Sequence, residues 1–304
     1  MLFPGQGSQS LGMLSALAAD HAQVDDSFGQ ASEVLGYDLG ALVREGPIEQ
    51  LNRTEYTQPA LLAAGIAVWR IWQSRGGAQP VALAGHSLGE YTALVAAGAL
   101  AFEDGLRLTR LRGQFMQAAV AAGEGAMAAL MGLDDDAVAQ VCEQASEGAT
   151  VTPANYNAPG QVVIAGEIDA VERAMDLAKQ AGAKMAKRLA VSVPSHCSLM
   201  GPAAQRLQAE LSQVPLQTPQ IPVRHNVDAT ARDDAEAIRK ALTDQLQRPV
   251  WWARTIQALH DDGVETMLEC GPGKVLTGLC KRIDKRIQAI ALQDEKGLVA
   301  GLAI

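Results

Sequence analysis

Residues 81–94 read VALAGHSLGEYTAL, and the fold turns on how this stretch carries Ser87 between Gly85 and Gly89. The run 81–84 is apolar, too short for a helix, and bounded by Pro80 and Gly85, which predicts a buried strand. Beyond the motif, Tyr91, Leu94, Val95 and Leu100 stand among alanines with no proline, which predicts a buried helix. Strand, Gly-x-Ser-x-Gly, helix is the pattern of a nucleophile elbow. The turn is so tight that its flanks need glycine, and it lifts the hydroxyl to the edge of a sheet. The helix N-terminus then favours negative charge at Ser87. In this context Ser87 reads as a nucleophile, with a structural Gly-Ser-Gly turn as the alternative.

A chain of 304 residues is near the upper limit for one hydrophobic core, so one large domain with an inserted subdomain is expected. The net charge of −9, with basic residues only in local clusters, argues against nucleic acid as a partner. The start, MLFPGQGSQSLG, has neither a basic leader nor a long apolar stretch, and nowhere do apolar residues run long enough to span a bilayer. A soluble, cytoplasmic protein with no membrane partner is expected. Cys142, Cys197, Cys270 and Cys280 lack C-x-x-C spacing, which suits neither a zinc site nor a disulfide framework, so they are expected to be reduced and buried.

Segments 61–72 and 106–120 carry apolar residues at helical spacing, while 221–224, 264–268 and 287–292 read as strands. Alternating strands and helices predict a parallel sheet covered by helices, an α/β core. Between the two halves the rhythm changes. GAMAALMGL reads as a strand and DDDAVAQVCEQASEG as a helix. ATVTPANYN and QVVIAG follow as strands around APG, then EIDAVERAMDLAKQAGA as a helix and KMAKRLAVS as a strand. This β-α-β-β-α-β order is ferredoxin-like and predicts a subdomain at 124–191, inserted into a core of 1–123 and 192–304.

A serine nucleophile needs a base. Of five histidines, His21 and His260 read as surface residues, and His86 abuts Ser87 but points away from so tight a turn. His196, in AVSVPSHCSLM, follows a strand and Pro194, in a loop where the mouth of the sheet would lie. His225, ending a strand in IPVRHNVD, stays open as a rival. The first loop, FPGQGSQSLGM, can present backbone N–H groups. An oxyanion hole would take one from Gln6 and one from Leu88, the residue after the nucleophile.

FPGQGSQ, GHSLGEYTAL, RG-FM at 112–116, NYNAPGQVVIAG, VSVPSHCSLM and GPGKVLTGL lie in order along nearly the whole chain. Together they resemble the malonyl-CoA:acyl-carrier-protein transacylases of fatty acid synthesis. The resemblance implies an α/β-hydrolase-like core with a ferredoxin-like subdomain. It makes Ser87 the nucleophile and His196 the base, gives the oxyanion to the amides of Gln6 and Leu88, and places at Gln245, in QLQRPV, the main-chain carbonyl that orients the base. Arg112, by residue pattern a surface arginine like Arg107 and Arg110, would grip the malonyl carboxylate.

The implied reaction is ping-pong, from malonyl-CoA to the phosphopantetheine thiol of an acidic acyl carrier protein. The enzyme would need no metal or redox cofactor, because CoA is part of the substrate and phosphopantetheine belongs to the carrier. Two basic clusters are candidate docking faces: Lys184, Lys187 and Arg188, and Lys281, Arg282, Lys285 and Arg286.

Three features depart from the family's pattern. Few residues precede FPGQG, so either the start is trimmed or the first strand is short, which bears on the stability of the sheet at that edge and on the position of Gln6. His225 stands where asparagine is usual, and Trp251 where a polar residue is common. The rival readings are an acyltransferase serving a polyketide carrier, a serine hydrolase, and a non-catalytic carrier-binding protein.

Overall fold

The computed structural model describes residues 1–121, 123–191 and 193–304. In chain order the strands are β1 (Leu2–Phe3), β2 (Leu83–Gly85), β3 (Gly125–Met131), β4 (Val151–Ala158), β5 (Gln161–Glu167), β6 (Met185–Arg188), β7 (Val223–Arg224), β8 (Thr266–Glu269) and β9 (Gln288–Ala291). They form two sheets. One runs β7-β2-β1-β8-β9 with every pair parallel, the other β4-β5-β3-β6 with every pair antiparallel.

The parallel sheet is built from short strands with helices on its faces, and Leu2, Phe3, Leu83 and Ala84 are buried at its centre. The helix Thr54–Ser74 is buried around most of its circumference, as its run of alanine, leucine and isoleucine requires, and it packs against the helix Phe102–Ala119. Two expectations change here. The strand anticipated at 81–84 starts at Leu83, because pairing with β7 and β1 covers only Leu83 to Gly85, and Val81 is 73% exposed. The short first strand is no edge: Leu2 pairs with Ala84 on one side and Glu269 on the other, in the middle of the sheet.

In the antiparallel sheet, side-chain alternation sorts two environments. Ala126, Ala128 and Leu130 of β3, with Val162 and Ile164 of β5, pack with Val138, Val141 and Val171 from the helices Asp135–Ser146 and Ile168–Gln180. Met127, Val163 and Ala165 face the other way, onto Cys197 and the segment leading to it. Asp134 caps the first of these helices, accepting from Ala137 N at 2.8 Å. The order β-α-β-β-α-β with β5 and β3 central is a ferredoxin-like sheet. It joins the core through Val250, which donates to Ala154 O at 2.9 Å while its own carbonyl accepts from Tyr156 N at 2.9 Å. Residue 192, where the second half of the core was expected to begin, lies outside the described residues. Among the described residues no helix is long and apolar enough to cross a membrane.

Candidate active site

Ser87 occupies the turn between β2 and the helix Gly89–Ala96. A Cβ on Gly85 would fall 1.9 Å from the Gly89 backbone, and one on Gly89 would fall 2.2 Å from Phe3 O, so neither position admits a side chain. Ser87 itself has φ 51°, left-handed backbone that costs a non-glycine residue roughly 1–2 kcal/mol. Hydrogen bonds hold it there. Asn226 Oδ1 accepts from Ser87 N at 2.6 Å, Asn226 Nδ2 donates to Gly85 O at 2.7 Å, and Gln245 Nε2 donates to Ser87 O at 2.9 Å.

His196 also has a left-handed backbone, φ 65°, with its N–H bonded to Leu246 O at 3.0 Å. Its ring is buried. Nδ1 lies 2.7 Å from the main-chain oxygen of Gln245, and Nε2 lies 2.8 Å from Ser87 Oγ. A carbonyl can only accept, so Nδ1 carries the proton and Nε2 is left as an acceptor facing the hydroxyl. Burial pushes the His196 pKa down to about 3, with the Arg112 charge adding to the effect and the bond to the Gln245 carbonyl opposing it. The imidazole is therefore neutral near pH 7.

Arg112, on the helix Phe102–Ala119, is 1% exposed, not a surface residue like Arg107 earlier on the same helix. It donates to Gln58 Oε1 at 2.9 Å, to Gln245 Oε1 at 2.9 Å and to Ser87 Oγ at 3.2 Å, while its Nε has no partner. Burial lowers its pKa, yet a guanidinium stays charged at neutral pH. These groups open into a cavity of about 110 Å³ between the two sheets, walled by Gln6, Met116, Met127, Leu189 and Val193. Among the described residues, the backbone N–H groups of Gln6 and Leu88 meet no protein acceptor.

The rival base is placed elsewhere. His225 is fully buried with Nδ1 2.6 Å from Glu90 Oε1, and Ser87 bonds to His196 instead. His86 lines the cavity but is tied by Nε2 to Asn157 Oδ1 at 2.8 Å. His21 and His260 are half-buried, not surface residues, because His21 meets Glu295 at 3.0 Å and His260 meets Val264 O at 3.1 Å. Trp251 stacks on Tyr156, with ring centroids 4.2 Å apart, and so braces the junction of the sheets. Gln58, Glu90 and Asn226 escaped the sequence reading. Their only signal was a polar residue amid buried neighbours. All four cysteines are free and buried, and no cluster of three or more His, Cys, Asp or Glu suited to a metal occurs among the described residues.

An elbow serine, a histidine facing its hydroxyl and a small cavity at the edge of a parallel sheet suit acyl transfer, and the chain belongs to the acyl transferase domain family, which matches residues 1–293. A malonyl CoA-acyl carrier protein transacylase of Salmonella typhimurium (strain LT2) is 54% identical over 301 residues, 99% of this chain and 97% of its own length. The corresponding protein of Bacillus subtilis (strain 168) is 46% identical, covering 96% of this chain and 92% of the relative. Among solved structures, the malonyl CoA-acyl carrier protein transacylase of Coxiella burnetii superposes with a TM-score of 0.99 at 48% identity, covering all of this chain and 96% of that one. A malonyl-transacylase solved in complex with a type II PKS acyl-carrier protein gives 0.99 at 53% identity, covering 100% of this chain and 98% of that one.

Proposed function

We propose that the protein is a malonyl-CoA:acyl-carrier-protein transacylase of fatty acid synthesis that carries the malonyl group on Ser87. The observation that carries this reading is the buried guanidinium of Arg112 in the cavity wall, 3.2 Å from the Ser87 hydroxyl. A free carboxylate on the acyl group can accept two parallel hydrogen bonds from it. Acetyl has no such group.

Ser87 Oγ attacks the thioester carbonyl as its proton passes to His196 Nε2, and the Gln245 carbonyl holds the ring through Nδ1. The N–H groups of Gln6 and Leu88 receive the oxyanion. Collapse breaks the carbon–sulfur bond, and His196 returns the proton to the departing CoA thiolate. The carrier's phosphopantetheine thiol then attacks the Ser87 ester by the reverse path. No metal or redox cofactor takes part. The substrate carboxylate also offsets the Arg112 charge that disfavours the imidazolium, so binding malonyl eases the proton transfer it precedes.

The reading treats 124–191 as an inserted subdomain closing over a core of 1–123 and 192–304, and it places the enzyme in the cytoplasm. The acidic carrier docks on exposed basic residues, Lys184, Lys187 and Arg188 along the strand that leads to the cavity wall at Leu189, or Lys281, Arg282, Lys285 and Arg286, where Arg282 meets Gln161 at 3.1 Å. Charge reversal of each cluster in turn should lower kcat/KM for the carrier in a salt-dependent way and leave loading from malonyl-CoA intact; transfer unchanged in both would sink the docking assignment. A second carrier class is favoured by one observation, the neighbour solved with a type II PKS carrier protein, and the ratio of transfer rates to the two carriers decides between them.

The test of the whole reading is intact mass after brief exposure to malonyl-CoA or acetyl-CoA. A malonyl adduct that moves to an added carrier, is absent from Ser87→Ala and is not matched by acetyl supports it. Continuous release of CoA with no adduct would point to a hydrolase.

A further inference from the structure

The helix that follows Ser87 carries one fully buried carboxylate, Glu90. Its Oε2 accepts from Asn226 N at 2.9 Å and from Gln245 Nε2 at 2.8 Å, and its Oε1 meets His225 Nδ1 at 2.6 Å. The same two partners grip the nucleophile, Asn226 through Ser87 N and Gln245 through Ser87 O.

The acceptor-only character of a carboxylate matters here. Facing Glu90, the Gln245 side chain must present its NH2 group, which forces its oxygen toward Arg112 and agrees with the 2.9 Å bond found there. A flipped amide would set NH2 against guanidinium and oxygen against carboxylate. Glu90 thus decides the orientation of a group that touches both the nucleophile's peptide and the substrate-binding cation. It also pins the chain at Asn226, whose side chain fills its two bonds across the elbow.

We propose that Glu90 is a positioning residue for acyl transfer, holding both peptide groups of Ser87 in place through Asn226 and Gln245. The proposal rests on the reading of Ser87 as the acyl-carrying group. A left-handed serine has no intrinsic reason to stay in that conformation, and loss of its clamps lets Oγ drift from the His196 line.

The test compares the rate of Ser87 malonylation, by rapid mixing and intact mass, with the affinity for malonyl-CoA measured in a Ser87→Ala background. Glu90→Ala should slow acylation about 100-fold, the scale set by a displacement of about 1 Å at a reacting group. Affinity should change less than about fivefold, because Arg112 keeps its bond to Gln58. Glu90→Gln should recover at least about tenfold of the loss, since its oxygen can still accept from Asn226 and Gln245 while its NH2 takes the place of the oxygen that faces His225.

Acylation within about threefold of the unsubstituted enzyme, a parallel fall of rate and affinity, or no recovery in Glu90→Gln would each overturn the proposal. Should Glu90→Ala not fold, Glu90→Asp takes its place: one methylene short of both partners, it should slow acylation and keep affinity, and unchanged acylation overturns the idea. An adduct that never forms, or that persists in Ser87→Ala, overturns this proposal together with the nucleophile reading. A normal Ser87 adduct with indifferent Glu90 variants overturns this one alone.

Discussion

Two buried histidines flank the elbow, and they are wired in opposite ways. His225 has a carboxylate at Nδ1 and no partner at Nε2, whereas His196 has a neutral carbonyl at Nδ1 and the serine hydroxyl at Nε2. By residue type, the histidine–acid pair of a triad is His225 with Glu90, yet the hydroxyl belongs to the other ring. The cavity explains the arrangement. A carboxylate directly against Arg112 would occupy the guanidinium that the proposed reaction reserves for the substrate, and among the described residues the buried acid Glu90 stands an amide away, behind Gln245. The His196 ring is then oriented by a group without charge.

Breaking the His196 side of the comparison should have the largest effect. We expect Ser87→Ala to lose the malonyl adduct entirely, with turnover down about 10⁴-fold or more, and His196→Ala to cost about 10³-fold in acylation rate, both read by mass and stopped-flow release of CoA.

Arg112→Ala should lower kcat/KM for malonyl-CoA about 100-fold or more while leaving acetyl-CoA as poor as before, so that the ratio between the two substrates collapses. Retained selectivity would remove Arg112 from the carboxylate.

The pH dependence is smaller and has a definite sign. With the His196 pKa lowered from its ordinary value of 6.5 to about 3, the neutral ring favours the folded state above pH 6.5, and that contribution is lost as pH falls from 6.5 toward 3. Acylation by the folded enzyme should therefore show no protonation step at His196 between about pH 8 and about pH 5, and thermal stability should decline on the acid side. A limb near pH 6.5 that disappears in a His196 variant would contradict the buried, neutral base.

The smallest change expected is His225→Asn. Asparagine can still donate to Glu90, so acylation should fall less than about threefold, with a modest drop in Tm. A loss as large as that of His196→Ala would erase the distinction between the two rings.

The antiparallel sheet was legible because three of its four strands run seven or eight residues, long enough for turn residues and helix-period segments to bracket them, and successive side chains of β3 and β5 enter different apolar clusters. The parallel sheet was harder. Its strands of two to four residues, two of them wholly buried, are too short for a period to stand out, which is why β2 was placed two residues early and β1 was taken for an edge. At the site, Ser87 and His196 announce themselves through local glycine and proline punctuation. Asn226 and Gln245 do not, because what they do depends on meeting Ser87 across 139 and 158 residues of chain. Nothing near either residue in sequence reports such an encounter. Glu90 is the intermediate case, visible as an acid inside an apolar run, with partners supplied only by the fold.

That separation along the chain also sets when the protein becomes reactive. Synthesis proceeds from the N-terminus, so the elbow sequence emerges well before residues 196, 226 and 245 exist. β1 likewise waits for β8, 267 positions further on, to close its second flank, as the pairing of Leu2 with Glu269 shows. A nascent chain therefore exposes Ser87 as an ordinary hydroxyl, without a base or backbone clamps. On the proposed mechanism, unfinished molecules cannot squander acyl-CoA, and chemical competence arrives only with the last third of the polypeptide.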